Sequence, residues 1–258
     1  MFIQSFLLLL AINFLSAGRV SRPVERIIGG QNIEIEQAPW QVSLQVNGRH
    51  HSGGSIYSKD IIITAAHCRF NQKRRRLEAK DFLIRVGSSL KNSKGTLVKV
   101  AAIRSHENFD FKTNVFNDIA VMRLSKPLKF TSKVQSIPLA ERNPAPGTVA
   151  MVSGWGATSV LPSRNGYPVL SYPINLQAVH NHIRNWNYCS IFVTMSENNI
   201  CAGTFGQSAC FGDSGGPLVV NQELVGVVSG VLPYCIGFSI YASVPSFRSW
   251  ILNAIASI

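Results

Sequence analysis

Three short stretches of the chain hold residues able to carry acyl-transfer chemistry. In Cys210-Phe211-Gly212-Asp213-Ser214-Gly215-Gly216-Pro217-Leu218 a serine stands between an acid and two glycines, just ahead of the apolar run Leu218, Val219 and Val220. Glycines let the backbone come close to a substrate and aim successive N–H groups at one point, which is what an oxyanion requires. A bare Gly-Asp-Ser-Gly is also an ordinary turn, so the remainder of the chain decides. Thr64-Ala65-Ala66-His67-Cys68 sets a histidine after a β-rich run and among small neighbours, and Asn117-Asp118-Ile119-Ala120-Val121 puts an acid at the start of an apolar strand. Taken singly, His67 reads as a core histidine and Asp118 as a strand cap, although an acid facing a core is costly unless paired. Taken together, the order His67, Asp118, Ser214 supplies a base, a carboxylate to orient it and a nucleophile.

Elements of fixed position must bring these stretches together. From Pro39 onward short apolar runs alternate with Gly, Asn, Lys or Pro clusters, at residues 41–46, 54–56, 61–65, 82–86, 97–103 and 119–124. The pattern resumes at residues 148–153, 177–179, 217–220, 224–229 and 239–244. Strands and turns at that spacing mark an all-β chain, and no βαβ alternation is present. Only residues 245–258 carry helical spacing, with Phe247, Trp250, Ile251, Ala254 and Ile255 on one face. The coarse reading is two β units joined near residues 127–146 and closed by a terminal helix.

At 258 residues, 46% hydrophobic and 15% charged, the chain has the composition of a folded protein with a substantial core. Its beginning differs: residues 2–15 form an apolar run of signal-peptide length, and Ser16-Ala17-Gly18 supplies small residues for cleavage. Residues 1–18 are therefore expected to be a signal peptide, and the mature protein to be secreted and extracellular, with neither membrane nor nucleic acid as a partner. Five cysteines in a secreted chain imply disulfides and one thiol left over, at spacings unlike a zinc site. The net charge of +12 is spread through the chain, with one dense cluster at Lys73-Arg74-Arg75-Arg76. That cluster reads as a solvated loop or as a site for an acidic partner such as a glycosaminoglycan. No Asn-x-Ser/Thr sequon occurs, so N-glycosylation is not expected.

Arg26-Ile27-Ile28-Gly29-Gly30 reads as a processing site before a flexible hinge, or simply as a strand start. With it, with Gly154-Trp155-Gly156 and with the three stretches in order, the chain from Ile27 to its end resembles the secreted trypsin/chymotrypsin-like serine proteases, most closely the short insect type. The resemblance implies an all-β fold, two packed six-stranded antiparallel β-barrels with a C-terminal α-helix, and a site in the cleft between barrels. It implies a protease domain of residues 27–258 behind an activation propeptide of residues 19–26. Ser214 would attack the scissile carbonyl, His67 would take and return its proton, and Asp118 would fix the imidazole tautomer, with Ser229 behind it. The N–H groups of Gly212 and Ser214 would receive the oxyanion. An activating protease would cut after Arg26, freeing the Ile27 amine to pair with Asp213, an ion pair better understood as a switch than as a source of stability. The implied partners are protein or peptide substrates and protease inhibitors. No cofactor or metal is expected, because residues 88–98, which match the family's calcium loop, contain Lys91 and Lys94 and no acid.

The same resemblance exposes departures. It pairs Cys189 with Cys201 and Cys210 with Cys235, and leaves Cys68 opposite Ser52, where the family has a cysteine. A free thiol beside His67 is the expected result, either buried and inert or available for an intermolecular bond. The residue at the bottom of the primary specificity pocket is Ser208, and the wall positions are Val231 and Ser239. Without a carboxylate an incoming Arg or Lys would be buried unpaired, so the pocket resembles the elastase type and favours small apolar residues before the cut. Gly230 replaces a common tryptophan beside Ser229, which removes a wall of neighbouring subsites. The leading expectation is a secreted serine endopeptidase made as a zymogen. The alternative is a non-catalytic homologue that binds a partner through the same fold.

Overall fold

The computed structural model describes residues 28–111, 115–161 and 168–258; the expected signal peptide, the propeptide with Arg26, and Ile27 lie outside the described residues. Seven strands occupy the first half: β1 (Gln31–Asn32), β2 (Gln41–Val46), β3 (Arg49–Ile56), β4 (Ile61–Thr64), β5 (Phe82–Val86), β6 (Thr96–Ser105) and β7 (Ala120–Leu124). All but β1 close into an antiparallel barrel of order β2-β3-β4-β7-β6-β5. Side chains alternate across a strand, and in β2 the apolar set Val42 and Leu44 enters the barrel interior. The polar set of the same strand is buried too, and it is hydrogen-bonded, as burial demands: Ser153 Oγ donates to Gln41 Oε1 at 2.7 Å and Gln45 Nε2 to the Lys91 carbonyl at 2.7 Å.

The second half contains β8 (Val149–Gly154), β9 (Ser159–Leu161), β10 (Val169–Ser171), β11 (Gln177–His182), β12 (Asn199–Thr204), β13 (Pro217–Val220), β14 (Glu223–Val231) and β15 (Gly237–Ser243). Its sheet runs β1-β11-β8-β13-β14-β15-β12, with β9 and β10 as a separate hairpin. The barrel is completed by one bridge, Ile183 to Ala202, and the Arg184 N–H donating to the Cys201 carbonyl at 2.8 Å. The two expected barrels are thus present, one closed by continuous ladders and one by a single bridge between β11 and β12. The connecting residues 127–146 are stitched to both: the Ile137 N–H donates to the Ile56 carbonyl, the Ala140 N–H donates to the Leu224 carbonyl of β14, and the Leu224 N–H donates to the Pro138 carbonyl.

A short helix, α1 (Trp186–Ser190), precedes β12, and the chain ends in α2 (Val244–Ala256). Ser243 caps α2 by accepting from the Ser246 N–H, and a proline stands in its first turn. Phe247, Ile251 and Ala254 are buried in a core that joins residues of both barrels, as their spacing predicted, and Arg123 of β7 donates to the Ile255 and Ile258 carbonyls at the other end. The terminal helix therefore ties the last strand of the second barrel to the first.

Candidate active site

Register decides which chain ends meet. Strands β4 and β7 pair antiparallel with Thr64 opposite Ala120, so the exit of one lies beside the entrance of the other. His67, in the 3-10 turn Ala66–Arg69, and Asp118, just ahead of β7, are thereby brought into contact. His67 Nδ1 lies 2.6 Å from Asp118 Oδ2, and the His67 backbone N–H donates to Oδ1 at 2.8 Å. A third donor comes from the other barrel. The β14–β15 ladder slips between Val228 and Gly230, and this bulge turns Ser229 so that its Oγ donates to Asp118 Oδ2 at 2.6 Å. Asp118 is fully buried, and three donors satisfy it. Burial alone would lower the imidazole's pKa; the adjacent Asp118 carboxylate and Cys68 thiol outweigh it and hold His67 well above the ordinary histidine value.

The nucleophile turn is fixed by backbone contacts across the cleft. Gly53 N–H donates to the Ser214 carbonyl at 2.7 Å, Gly215 N–H to Val228 at 2.8 Å, and Gly216 N–H to Asp213 at 2.9 Å. The approach is so close that a Cβ on Gly53 would stand 2.9 Å from the Gly216 Cα, and one on Gly215 would stand 3.0 Å from Cys68 Sγ. Gly212 has φ +100, a conformation favoured by glycine, and the N–H groups of Gly212 and Ser214 have no acceptor among the described residues. No hydrogen bond joins Ser214 Oγ to His67 among the described residues; the sulfur of Cys68 is instead the contact on Nε2, at 3.8 Å. Catalytic hydrogen bonds are often long before substrate arrives and tighten in the Michaelis complex.

Asp213 is also fully buried, yet its surroundings are different. Its carboxylate accepts from the N–H groups of Gly156 at 2.8 Å and Cys210 at 3.0 Å, and no cation reaches it among the described residues. Burial pushes the carboxyl up to about 6, against the pull of those two donors. Gly154 and Gly156 are glycines for a physical reason: a Cβ at either would lie 2.1 Å or 2.3 Å from a carboxylate oxygen. Beside this pocket Ile28 packs with Cys210 and Cys235, and its carbonyl accepts from Ser208 N–H.

The profile of the family described as Trypsin matches residues 27–251. The chain is 45% identical over 237 residues to trypsin beta of Drosophila erecta, with 88% of each chain covered. It is 42% identical over 242 residues to trypsin alpha of Drosophila melanogaster, covering 90% of this chain and 89% of the relative. In three dimensions it is similar to neuropsin, a serine protease expressed in the limbic system of mouse brain, with a TM-score of 0.77, 26% identity and coverage of 88% and 98%. The chain belongs to the trypsin family of serine endopeptidases.

Two disulfides staple the second half of this trypsin-family protease, Cys189 to Cys201 and Cys210 to Cys235, the pairs the resemblance implied. Cys68 is free and buried. Ser208 is buried with its hydroxyl turned onto the Cys235 carbonyl at 2.9 Å, and Ser239 is buried with its hydroxyl on the Ala209 carbonyl at 3.2 Å. Val231 pairs directly with Ser239 across the β14–β15 ladder. At Gly230, the space a side chain would need is bordered by Val115, 3.0 Å from a notional Cβ.

Sequence reasoning missed one residue of this protease's site. His50 is held between Ser43 Oγ, 2.8 Å from Nδ1, and the Gly212 carbonyl, 3.0 Å from Nε2, so it props the turn before Ser214 from the opposite barrel. Burial lowers its pKa to about 4 despite the bond to Gly212, so the ring is neutral and donates from Nε2. The signal was the pair His50-His51 in a strand otherwise ending in small residues, but nothing local connects it to a glycine 162 positions away.

Proposed function

We propose that this protease is secreted as a zymogen and hydrolyses peptide bonds after small apolar residues through an acyl-enzyme. Ser214 attacks the scissile carbonyl while His67 accepts the hydroxyl proton on Nε2; Asp118 keeps Nδ1 protonated and stabilises the imidazolium that forms. The N–H groups of Gly212 and Ser214, which meet no acceptor among the described residues, receive the oxyanion, worth about 3–4 kcal/mol for one such donor. His67 then returns the proton to the leaving amine, and water releases the acyl group. The observation that carries the reading is Asp118, sealed from water and holding His67 in one tautomer with donors from both barrels.

Activation rests on Asp213. A buried carboxylate with two N–H donors and no cation among the described residues is an unfinished ion pair. Cleavage after Arg26 supplies the cation as the amine of Ile27, and Ile28 already lies beside the Cys210–Cys235 bridge. The signal-like residues 1–18 support export, and among the described residues no helix is long and apolar enough to cross a membrane.

Specificity follows from Ser208, Val231 and Ser239. A guanidinium or ammonium entering this pocket meets hydroxyls already engaged with backbone carbonyls and no carboxylate, so its desolvation goes uncompensated. Val231 narrows the mouth, which leaves room for Ala or Val. The test is a series of otherwise identical peptide anilides with Ala, Val, Leu, Phe, Lys or Arg before the cut, assayed with the Arg26-cleaved enzyme. Highest kcat/KM for Ala and Val is expected; a preference for Lys or Arg would refute the pocket assignment.

A further inference from the structure

We propose that the basic turn of residues 73–76 and the cavity beside it form a binding site for a sulfated polysaccharide, a surface that none of the catalytic steps uses.

A solvated run of like charges needs no fixed shape, and this one has a shape. Asn71 Oδ1 accepts from the backbone N–H groups of Lys73 and Arg75, each at 3.0 Å, and the Arg74 N–H donates to the Asn71 carbonyl at 2.8 Å. Phe70 and Arg76 bridge across the neck of the turn. Arg74 lies over the Phe111 ring at 5.1 Å, and Phe111 packs with Phe70 and Phe109, so the turn is seated on an aromatic cluster. Lys73, Arg74, Arg75 and Arg76 are all exposed, and the side chains of Lys73 and Arg75 have no partner among the described residues. Like charges held together on one ordered turn repel one another. A polyanion removes that repulsion, and little ordering is left to be done when it binds.

Beside the turn a cavity of about 360 Å³ is walled by Arg69, Arg76 and Arg104 together with Phe70, Ser105 and His106. Arg69 donates to Glu78 at 2.7 Å and Arg76 meets the same carboxylate at 3.5 Å, so two guanidiniums share one acid. Glu107 also reaches the cavity, with its carboxylate accepting from Trp250 Nε1 at 2.9 Å. Arg69, Lys73, Arg74, Arg75, Arg76 and Arg104 thus stand against the acids Glu78, Glu107 and Asp110, and positive charge is in excess. Burial keeps His106 below the ordinary histidine value, so at neutral pH the arginines supply that charge and the imidazole does not. An independent sign of a ligand comes from Ser105. Its Oγ is sealed from bulk water and has no hydrogen-bond partner among the described residues, although buried hydroxyls are ordinarily satisfied. An oxyanion in the cavity accepts from it.

Sulfate suits these groups in charge and in shape. Guanidinium forks bind oxyanions through paired N–H···O bonds, as they do phosphate and carboxylate. A chain of sulfated sugars spans both features, one sulfate in the cavity and others along the turn. The choice among polyanions rests on the catalytic reading above. Phe70, at the neck of the turn, donates its N–H to the His67 carbonyl at 3.0 Å, so the site lies close to the cleft. A polymer without peptide bonds stays intact beside a working protease, whereas an acidic polypeptide is open to cleavage there.

Binding of a heparin oligosaccharide is measured by titration calorimetry at neutral pH, with the uncleaved Arg26→Gln chain and with Arg26-cleaved enzyme. Expected is binding in both forms that weakens as salt is added. Lys73→Gln/Arg75→Gln is expected to weaken it by more than about tenfold, since each removes a charged donor. Lys126→Gln/Lys129→Gln removes the same charge from exposed residues near the other end of β6, where the Ser125 N–H meets the Lys99 carbonyl, and is expected to change it by less than about twofold. Equal weakening by the two double variants would show a response to net charge alone and overturn the site. Arg104→Gln, on a strand, answers the same question should the turn variant fail to fold. Ser105→Ala is expected to weaken binding about three- to tenfold; unchanged affinity would put the sulfate outside the cavity and overturn its part in the site. Equal or tighter binding of poly-glutamate or of single-stranded DNA would overturn the choice of a sulfated polysaccharide, and no heparin binding by folded protein would overturn the proposal outright. Heparin bound by a chain that never hydrolyses peptides leaves this site standing and refutes the catalytic reading.

Discussion

Two aspartates define two regions of this protein, equally dry and differently furnished. Around Asp118 three donors converge from two barrels, and one of them belongs to an imidazole that can carry positive charge. Around Asp213 there are two backbone N–H groups and, among the described residues, no cation. Burial costs a carboxylate about the same in both places, so the difference lies in what answers it. The first region is assembled by folding. On the activation proposed above, the second would be built by folding and completed by a covalent event elsewhere in the chain, so that one fold would hold a finished base and an unfinished oxyanion turn together.

The largest expected effect breaks the first region alone. Asp118→Asn leaves the shape but presents the wrong partner to Nδ1, and kcat is expected to fall by about 10⁴-fold, as in the same constellation elsewhere. Steady-state kinetics with purified, cleaved protein checks it; a loss under tenfold would mean that Asp118 does not set the tautomer. Asp213→Asn breaks the second region. Cleaved Asp213→Asn should resemble uncleaved enzyme, with a loss of about 10²–10³-fold in kcat from misplaced oxyanion donors, while its circular dichroism stays native. Full activity in that variant would sink the ion-pair switch.

A pH series sharpens the contrast. Asp213 has its folded pKa raised from 3.8 to about 6, so in the uncleaved form its contribution is present below pH 3.8 and is lost as pH rises toward 6. That shift is worth about 3 kcal/mol. His50, lowered from 6.5 to about 4, acts in the opposite direction over the same window, because its protonation destabilises the fold as pH falls. Urea midpoints of Arg26→Gln and of cleaved enzyme, measured from pH 4 to 7, cancel the His50 contribution. The uncleaved form should lose stability relative to the cleaved form as pH rises, and parallel curves would show that the amine does not reach Asp213.

A smaller effect concerns the thiol beside the first region. Ser52→Cys should close a bridge to Cys68 in an oxidising compartment if the two α-carbons lie within about 4.4–6.8 Å. The closed loop would gain up to about 3 kcal/mol. A thiol count and a thermal midpoint read the result; a folded variant with two titratable thiols would mean that the strand carrying Ser52 is placed differently around His67.

What the sequence made legible was local. His67, Asp118 and Ser214 each sit in a short run whose composition announces a turn beside a strand, and the apolar face of α2 repeats at helical spacing. Strand β12, Asn-Ile-Cys-Ala-Gly-Thr, escaped because its small and polar residues do not alternate, although five of its six residues are buried. Half of β3 escaped too, since Arg49-His50-His51-Ser52 reads as polar, and only the fold shows His50 reaching the Gly212 carbonyl and His51 packed on Phe82. The bulge at Ser229, the space that Gly154 and Gly156 leave for Asp213 and the prop from His50 to Gly212 all depend on contacts between distant segments. No spacing rule reaches them.

The most direct measurement is mass-spectrometric mapping of a fluorophosphonate adduct before and after cleavage at Arg26. The account predicts an adduct on Ser214 that forms rapidly only once the Ile27 amine is free, and none in Ser214→Ala. Equal labelling of the uncleaved Arg26→Gln chain, or no adduct on Ser214 after complete cleavage, would contradict it.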